Sequence, residues 1–253
     1  MTAQARSSAG SEPTIGIVAG MGPHSTGFFI DLVVQECELQ YGAYNDIDYP
    51  RMFILSLPTP FFVDRPIDHI AMESALRNGV GDLARTGCDF IVIACNTAHL
   101  YHAQLARCVG VPLLDMVDLS VAAVPANARE VALLASRATA ESAMYPERLS
   151  KRGLRALELN WQADVDRLIG SVRLPPAERA MQWQSLARRA VAGGADVVLL
   201  ACADLTAISR DLVIDLPVVD ATRRLAEATV TTWLKAAELA GRPRPQRGRP
   251  DPP

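Results

Sequence analysis

Apolar residues fall along this chain in short runs that end in small or polar residues, with stretches of helical spacing between them. The runs lie in TIGIVAGMGP (14–23), GCDFIVIAC (87–95), VPLLDMVD (111–118), REVALLASRAT (129–139), GADVVLLAC (194–202) and LPVVDATR (216–223). Their lengths and flanking turn residues predict buried strands. Apolar positions recurring on one face predict helices over 24–40, 69–86, 97–107, 140–152, 176–192 and 221–240. Strand, helix, strand ending in cysteine, helix, strand therefore occurs twice, at an offset of roughly one hundred residues, which is too long for a solenoid and marks a duplicated unit. The expected fold is α/β, with two similar lobes, each a mostly parallel sheet flanked by helices. One lobe covers 14–117 and is completed by 218–240, the other covers 118–217, and the tails 1–13 and 241–253 are expected to be disordered.

The two phrases ending in Cys95 and Cys202 are near copies: Gly, any residue, Asp, four apolar residues, Ala, Cys. Each thiol thus stands where a strand ends and a loop begins, the usual ligand position in such sheets. Two thiols placed equivalently in two halves suggest a matched pair of acid/base groups. At CNTAH, 95–99, a helix starting just after Cys95 would aim its first amides at the sulfur and favour the thiolate. Asn96 and Thr97 add short polar groups suited to a carboxylate, and His99 either orients the site or is a structural helix residue. At CADL, 202–205, Asp204 either caps the next helix or acts on the thiol through its charge. AGMGP at 19–23 is a strand-to-helix turn that lacks the lysine of a P-loop and the spacing of a dinucleotide fingerprint. In the loop 56–65, Arg65 is either a carboxylate clamp or a surface residue. Cys37, Cys88 and Cys108 read as buried fillers or helix residues.

Composition narrows the classes of function. A chain of 253 residues with 49% hydrophobic content can bury a sizeable core, and a net charge of −3 gives no footprint for nucleic acid. No apolar run reaches the ~20 residues needed to span a bilayer, and the first residues lack an apolar signal core. Five cysteines without scaffold spacing fit a reducing, cytoplasmic setting, and no ligand spacing supports a metal. Lysine occurs only at Lys151 and Lys235, both in expected amphipathic helices, which argues against a pyridoxal Schiff base.

With AGMGP, CNTAH and the paired cysteines in view, the chain resembles the cofactor-independent aspartate/glutamate racemase superfamily, and within it the aspartate racemase branch. The resemblance covers essentially all of 14–240. It implies a two-base racemase or epimerase of aspartate, glutamate or a related acidic amino acid, with the site in a cleft between the lobes and no cofactor. Cys95 and Cys202 would exchange the α-proton from opposite faces. Met21, Gly22, Asn96 and Thr97 would hold the α-carboxylate, and Arg65 the distal carboxylate. Ser136, Thr139, Ala203 and Arg173 stand at further substrate-contact positions, with Asp204 and His99 auxiliary, and a homodimer is implied. Departures are ACADL for GCTEL, SRAT for ATxGT, Ser56-Leu57-Pro58 for Asn-Asn-Pro, and Arg173 for a lysine. They leave the chemistry in place and bear on the substrate. A cysteine-dependent reaction such as maleate-type cis–trans isomerisation on a dicarboxylate, or a non-catalytic ligand-binding relative, are the alternatives.

Overall fold

The computed structural model describes residues 12–62, 65–171, 175–209 and 214–241. The first sheet contains β1 (Thr14–Ala19), β2 (Arg51–Ser56) and β3 (Phe90–Ile93) in the order β2-β1-β3. The second contains β4 (Glu130–Ala135), β5 (Arg155–Ala156), β6 (Val197–Ala201) and β7 (Val218–Asp220) in the order β5-β4-β6-β7. All pairings are parallel. Beside β3, Leu113 makes a single parallel bridge to Ile91, in the position that β7 holds beside β6. The two sheets are thus the same sheet twice, and the expected two-lobed α/β architecture holds.

The repeated polar residues explain how the repeat is locked. Asp89 Oδ2 accepts from the Thr14 amide at 2.6 Å, and Asp196 Oδ2 accepts from the amides of Arg129 and Glu130 at 2.7 and 2.9 Å. Each aspartate ties the start of a central strand to that of its neighbour. The other repeated pair caps helices: Asp115 Oδ1 accepts from Val117 and Asp118 amides, and Asp220 Oδ1 from Thr222 and Arg223 amides.

Flanking the sheets are α1 (Pro23–Tyr41), α2 (His69–Arg85), a 3₁₀ turn over Thr97–Tyr101, α3 (His102–Ala106), α4 (Met116–Ala122) and α5 (Arg137–Ala140). The remaining helices are α6 (Met144–Lys151), α7 (Gln162–Gly170), α8 (Pro176–Ala192), α9 (Ala203–Ser209) and α10 (Ala221–Leu239). Several expectations need correction. The strand expected over 111–118 shrinks to the bridge at Leu113, because Asp115 captures the next amides and starts α4. The helix expected over 97–107 divides into the 3₁₀ turn and α3, and that over 140–152 into α5 and α6. The edge strands β2 and β5 and the helices α4, α7 and α9 lie outside the expected set. Cys37 and Cys88 are buried, but Cys108 is exposed beyond α3. The expected tails fall almost wholly on residues outside the described ones.

The lobes are joined by an exchange of helices. α4 leaves the first sheet and packs Val117 and Val121 with Val131, Tyr145, Leu149 and Val197 of the second. α10 leaves the second sheet and packs Leu225, Ala226, Val230 and Trp233 with Ile15, Ile17, Phe29 and Val33 of the first. Trp233 is buried and its indole N–H donates to the Pro13 carbonyl at 2.9 Å. Trp233→Ala should therefore destabilise the protein by about 3–5 kcal/mol, read as a fall in the guanidinium midpoint. A loss below about 1 kcal/mol would mean that α10 does not complete the first core.

Candidate active site

Cys95 lies two residues past β3 and is buried. The chain turns there because Ala94 N–H still donates to the Val18 carbonyl, after which Asn96 adopts right-handed helical backbone and the 3₁₀ turn begins. Burial pushes the Cys95 thiol above its ordinary value, against the pull of the Ala98 and Thr97 amides and the Thr97 hydroxyl. Cys202 follows β6 directly and precedes α9. Its thiol is pushed up to about 12 by burial and by the Asp204 charge, against hydrogen bonds from the Leu205 and Asp204 amides. The amides point at the Cys95 sulfur as expected, but burial outweighs them and the expected lowering does not follow. At Cys202 the Asp204 charge acts on the thiol, the second of the two roles expected for that residue. Asp204 acts on both thiols, and Cys95 also bears on Cys202. The two strand ends therefore lie near one carboxylate.

Asp204 sits in the first turn of α9 rather than at its cap. Burial raises its carboxyl, while the nearby Ser25 hydroxyl and His24 draw it back. A β-carbon at Gly22 would lie 3.7 Å from Asp204 Oδ2, so the Met21–Gly22 turn lies against this carboxylate. Met21 packs in the same apolar cluster as Cys95. Gly20 has φ +94°, and a β-carbon there would meet the Leu57 amide nitrogen at 2.7 Å. Only glycine lets the turn approach the start of the 57–68 loop so closely.

On the other side, Thr97, Ser136 and Thr139 form a triangle of hydroxyls with edges of 3.0, 3.0 and 3.1 Å. The first comes from one lobe and the other two from the second. Ala203 is buried as the first residue of α9. His99 is buried and works as a strut: the Met116 amide donates to Nε2 at 3.1 Å, so Nδ1 carries the proton and donates to the Cys95 carbonyl at 2.8 Å. Burial lowers its pKa, in keeping with a neutral ring. Arg65 is exposed and stacks its guanidinium over Phe62 at 4.2 Å. Arg173 lies outside the described residues. Both lysines are exposed, on α6 and α10.

Sequence reasoning missed Ser25 and Tyr145. Ser25 follows AGMGP by two positions, and its proximity to the turn was a usable signal. Tyr145, which donates to Asn96 Oδ1 at 2.6 Å from the other lobe, carried none. No helix among the described residues is long and apolar enough to cross a membrane.

Because the Asp204 charge pushes the Cys202 thiol up, Asp204→Asn must bring it down. Labelling of Cys202 by iodoacetamide at pH 8, followed by peptide mass spectrometry, should then quicken by about threefold or more. In the unaltered protein the labelling rate should keep climbing beyond pH 9. An unchanged rate in the variant would remove Asp204 from the control of this thiol.

A family profile described as Asp/Glu/hydantoin racemase matches residues 18–229. The broad specificity amino-acid racemase RacX of Bacillus subtilis (strain 168) is 40% identical over 223 residues, covering 87% of this chain and 98% of that protein. Among solved structures, aspartate racemase of Picrophilus torridus superposes with a TM-score of 0.72 at 25% identity, over 87% of this chain and 94% of that one. Glutamate racemase RacE1 of Bacillus anthracis shares the fold with a TM-score of 0.58 at 15% identity, over 90% of this chain and 84% of that one.

Proposed function

The chain belongs to the Asp/Glu/hydantoin racemase family, and on that footing we propose that it racemises amino acids without a cofactor through Cys95 and Cys202. The observation that supports this reading is that both thiols end equivalent strands, β3 and β6, and that the Asp204 charge raises both. One sulfur, as thiolate, takes the α-proton; the other S–H gives its proton to the opposite face. The configuration inverts and the two sulfurs end with exchanged protonation, ready for the reverse turn. Ionisation accompanies binding: an α-ammonium brought beside Asp204 offsets the negative charge that holds the thiol protons in place.

Asn96, Thr97, Ser136, Thr139 and the Met21–Gly22 turn hold the α-carboxylate in this reading. Acidic amino acids are the first substrates, with Arg65 on the distal carboxylate. The loop bearing Arg65 starts beside the site, where the Leu57 amide donates to the Ala19 carbonyl. The broad specificity of the Bacillus subtilis relative supports a panel wider than aspartate and glutamate. Two working thiols, with all five cysteines free, suit a reducing cytoplasm.

The same reading includes a homodimer, and the outer edge of β2 supports it. Leu57 N–H faces β1, so by the period of two Met52, Ile54 and Ser56 turn their backbone groups outward. Among the described residues no strand pairs with that edge. An antiparallel second copy fits with Ile54 opposite itself and Met52 opposite Ser56, and it brings exposed Ile47 of one copy towards exposed Phe61 and Phe62 of the other. Ile54→Glu, which sets two like charges across that axis, should leave a monomer in light scattering. A monomeric unaltered protein, or a dimer that survives Ile54→Glu, would remove this interface.

In heavy water the protein should incorporate α-deuterium into aspartate or glutamate and racemise them, and Cys95→Ser or Cys202→Ser should each cost at least about 100-fold. Substantial activity in both variants would sink the two-thiol mechanism. Silence across the amino acids with turnover of maleate would replace racemisation by isomerisation.

A further inference from the structure

Asn96 follows Cys95, is 3% exposed, and leaves its Nδ2 without a hydrogen-bond partner while Oδ1 accepts from Tyr145. A buried amide donor left unmade costs about 1–3 kcal/mol. It is tolerated where a ligand brings the acceptor. Tyr145 itself is fully buried in the core of the second lobe. Burial keeps its phenol protonated far above neutral pH, so it remains a donor. One turn further along α6, Arg148 donates through Nη2 to Asp115 at 2.8 Å and through Nε to Asp118 at 2.6 Å, which pins this helix to the start of α4.

We infer that Tyr145 is a positioning residue: its hydroxyl, reaching from the second lobe, fixes the Asn96 amide so that Nδ2 is presented to a carboxylate of the substrate. An amide can turn over and exchange oxygen for nitrogen at almost no cost when nothing distinguishes its ends. With Tyr145 donating to Oδ1, only one orientation leaves the donor free. The phenol acts through Asn96 and touches no reacting atom. The inference rests on the racemase reading for the identity of the ligand, but its physical content is a carboxylate-binding amide held in one orientation.

Two readouts separate the claims. In racemisation assays Tyr145→Phe should raise KM about tenfold, the worth of one hydrogen bond, for every amino acid accepted, with kcat changed far less. Asn96→Ala should raise KM further, and adding Tyr145→Phe to Asn96→Ala should change nothing more. Calorimetric titration with succinate, a carboxylate that cannot racemise, should show the same order of affinities. Asn96→Asp still accepts from Tyr145 but offers no donor. It should keep the far-ultraviolet circular dichroism of the folded protein and lose succinate binding at pH 8, where its carboxylate is ionised, which serves if Tyr145→Phe does not fold. Effects of the two variants that multiply, a loss confined to kcat, or succinate binding intact in Asn96→Asp would each overturn the inference, as would an unaltered protein that neither racemises nor binds succinate. Succinate binding with the expected order but no racemisation would overturn the racemase reading alone.

Discussion

Placing a carboxylate beside two largely buried thiols sets the terms for everything around it. Each group resists ionisation in a dry environment, and each raises the others when charged. Asp204 is tolerated because the Ser25 side chain and His24 face it from the start of α1. The thiols in turn receive amides from the first turns behind them, yet remain above their ordinary values. A resting site of this kind keeps its protons and is poorly suited to casual oxidation or alkylation. Catalytic competence then depends on what enters.

Rigidity comes from contacts that cross between lobes rather than from either lobe alone. The hydroxyl triangle of Thr97, Ser136 and Thr139 joins the two lobes, as does the bond between Tyr145 and Asn96. His99 ties the Cys95 carbonyl to the amide at the start of α4, so the reactive loop and the helix leading to the second lobe share one ring.

Much of this was legible because the chain says it twice. The phrases ending in Cys95 and Cys202 placed both thiols at strand ends, and the paired aspartates Asp89 and Asp196 turned out to hold equivalent amides. Thr97, Ser136 and Thr139, expected from the resemblance, do meet. What stayed illegible depends on tertiary context. The apolar stretch before Asp115 reads as a strand, and only the capping geometry shows why it stops at Leu113. β2 and β5 lie at sheet edges, and β5 is only two residues long, too short for a pattern. Tyr145 sits in a helix with no motif, so its bond to Asn96 could not be foreseen. The rise of the Cys95 thiol is hidden because sequence shows the amides behind a sulfur but not the depth of its burial.

The crossing of α4 and α10 also bears on where such a chain could have come from. Each half sends its last helix into the core of the other. A half-length ancestor would therefore have left its own core open and found the missing helix only in a second chain. Gene fusion of two such partners yields this arrangement directly, with the reciprocal loan made permanent. Both thiols would then have begun as one cysteine, facing its own copy across a symmetry axis.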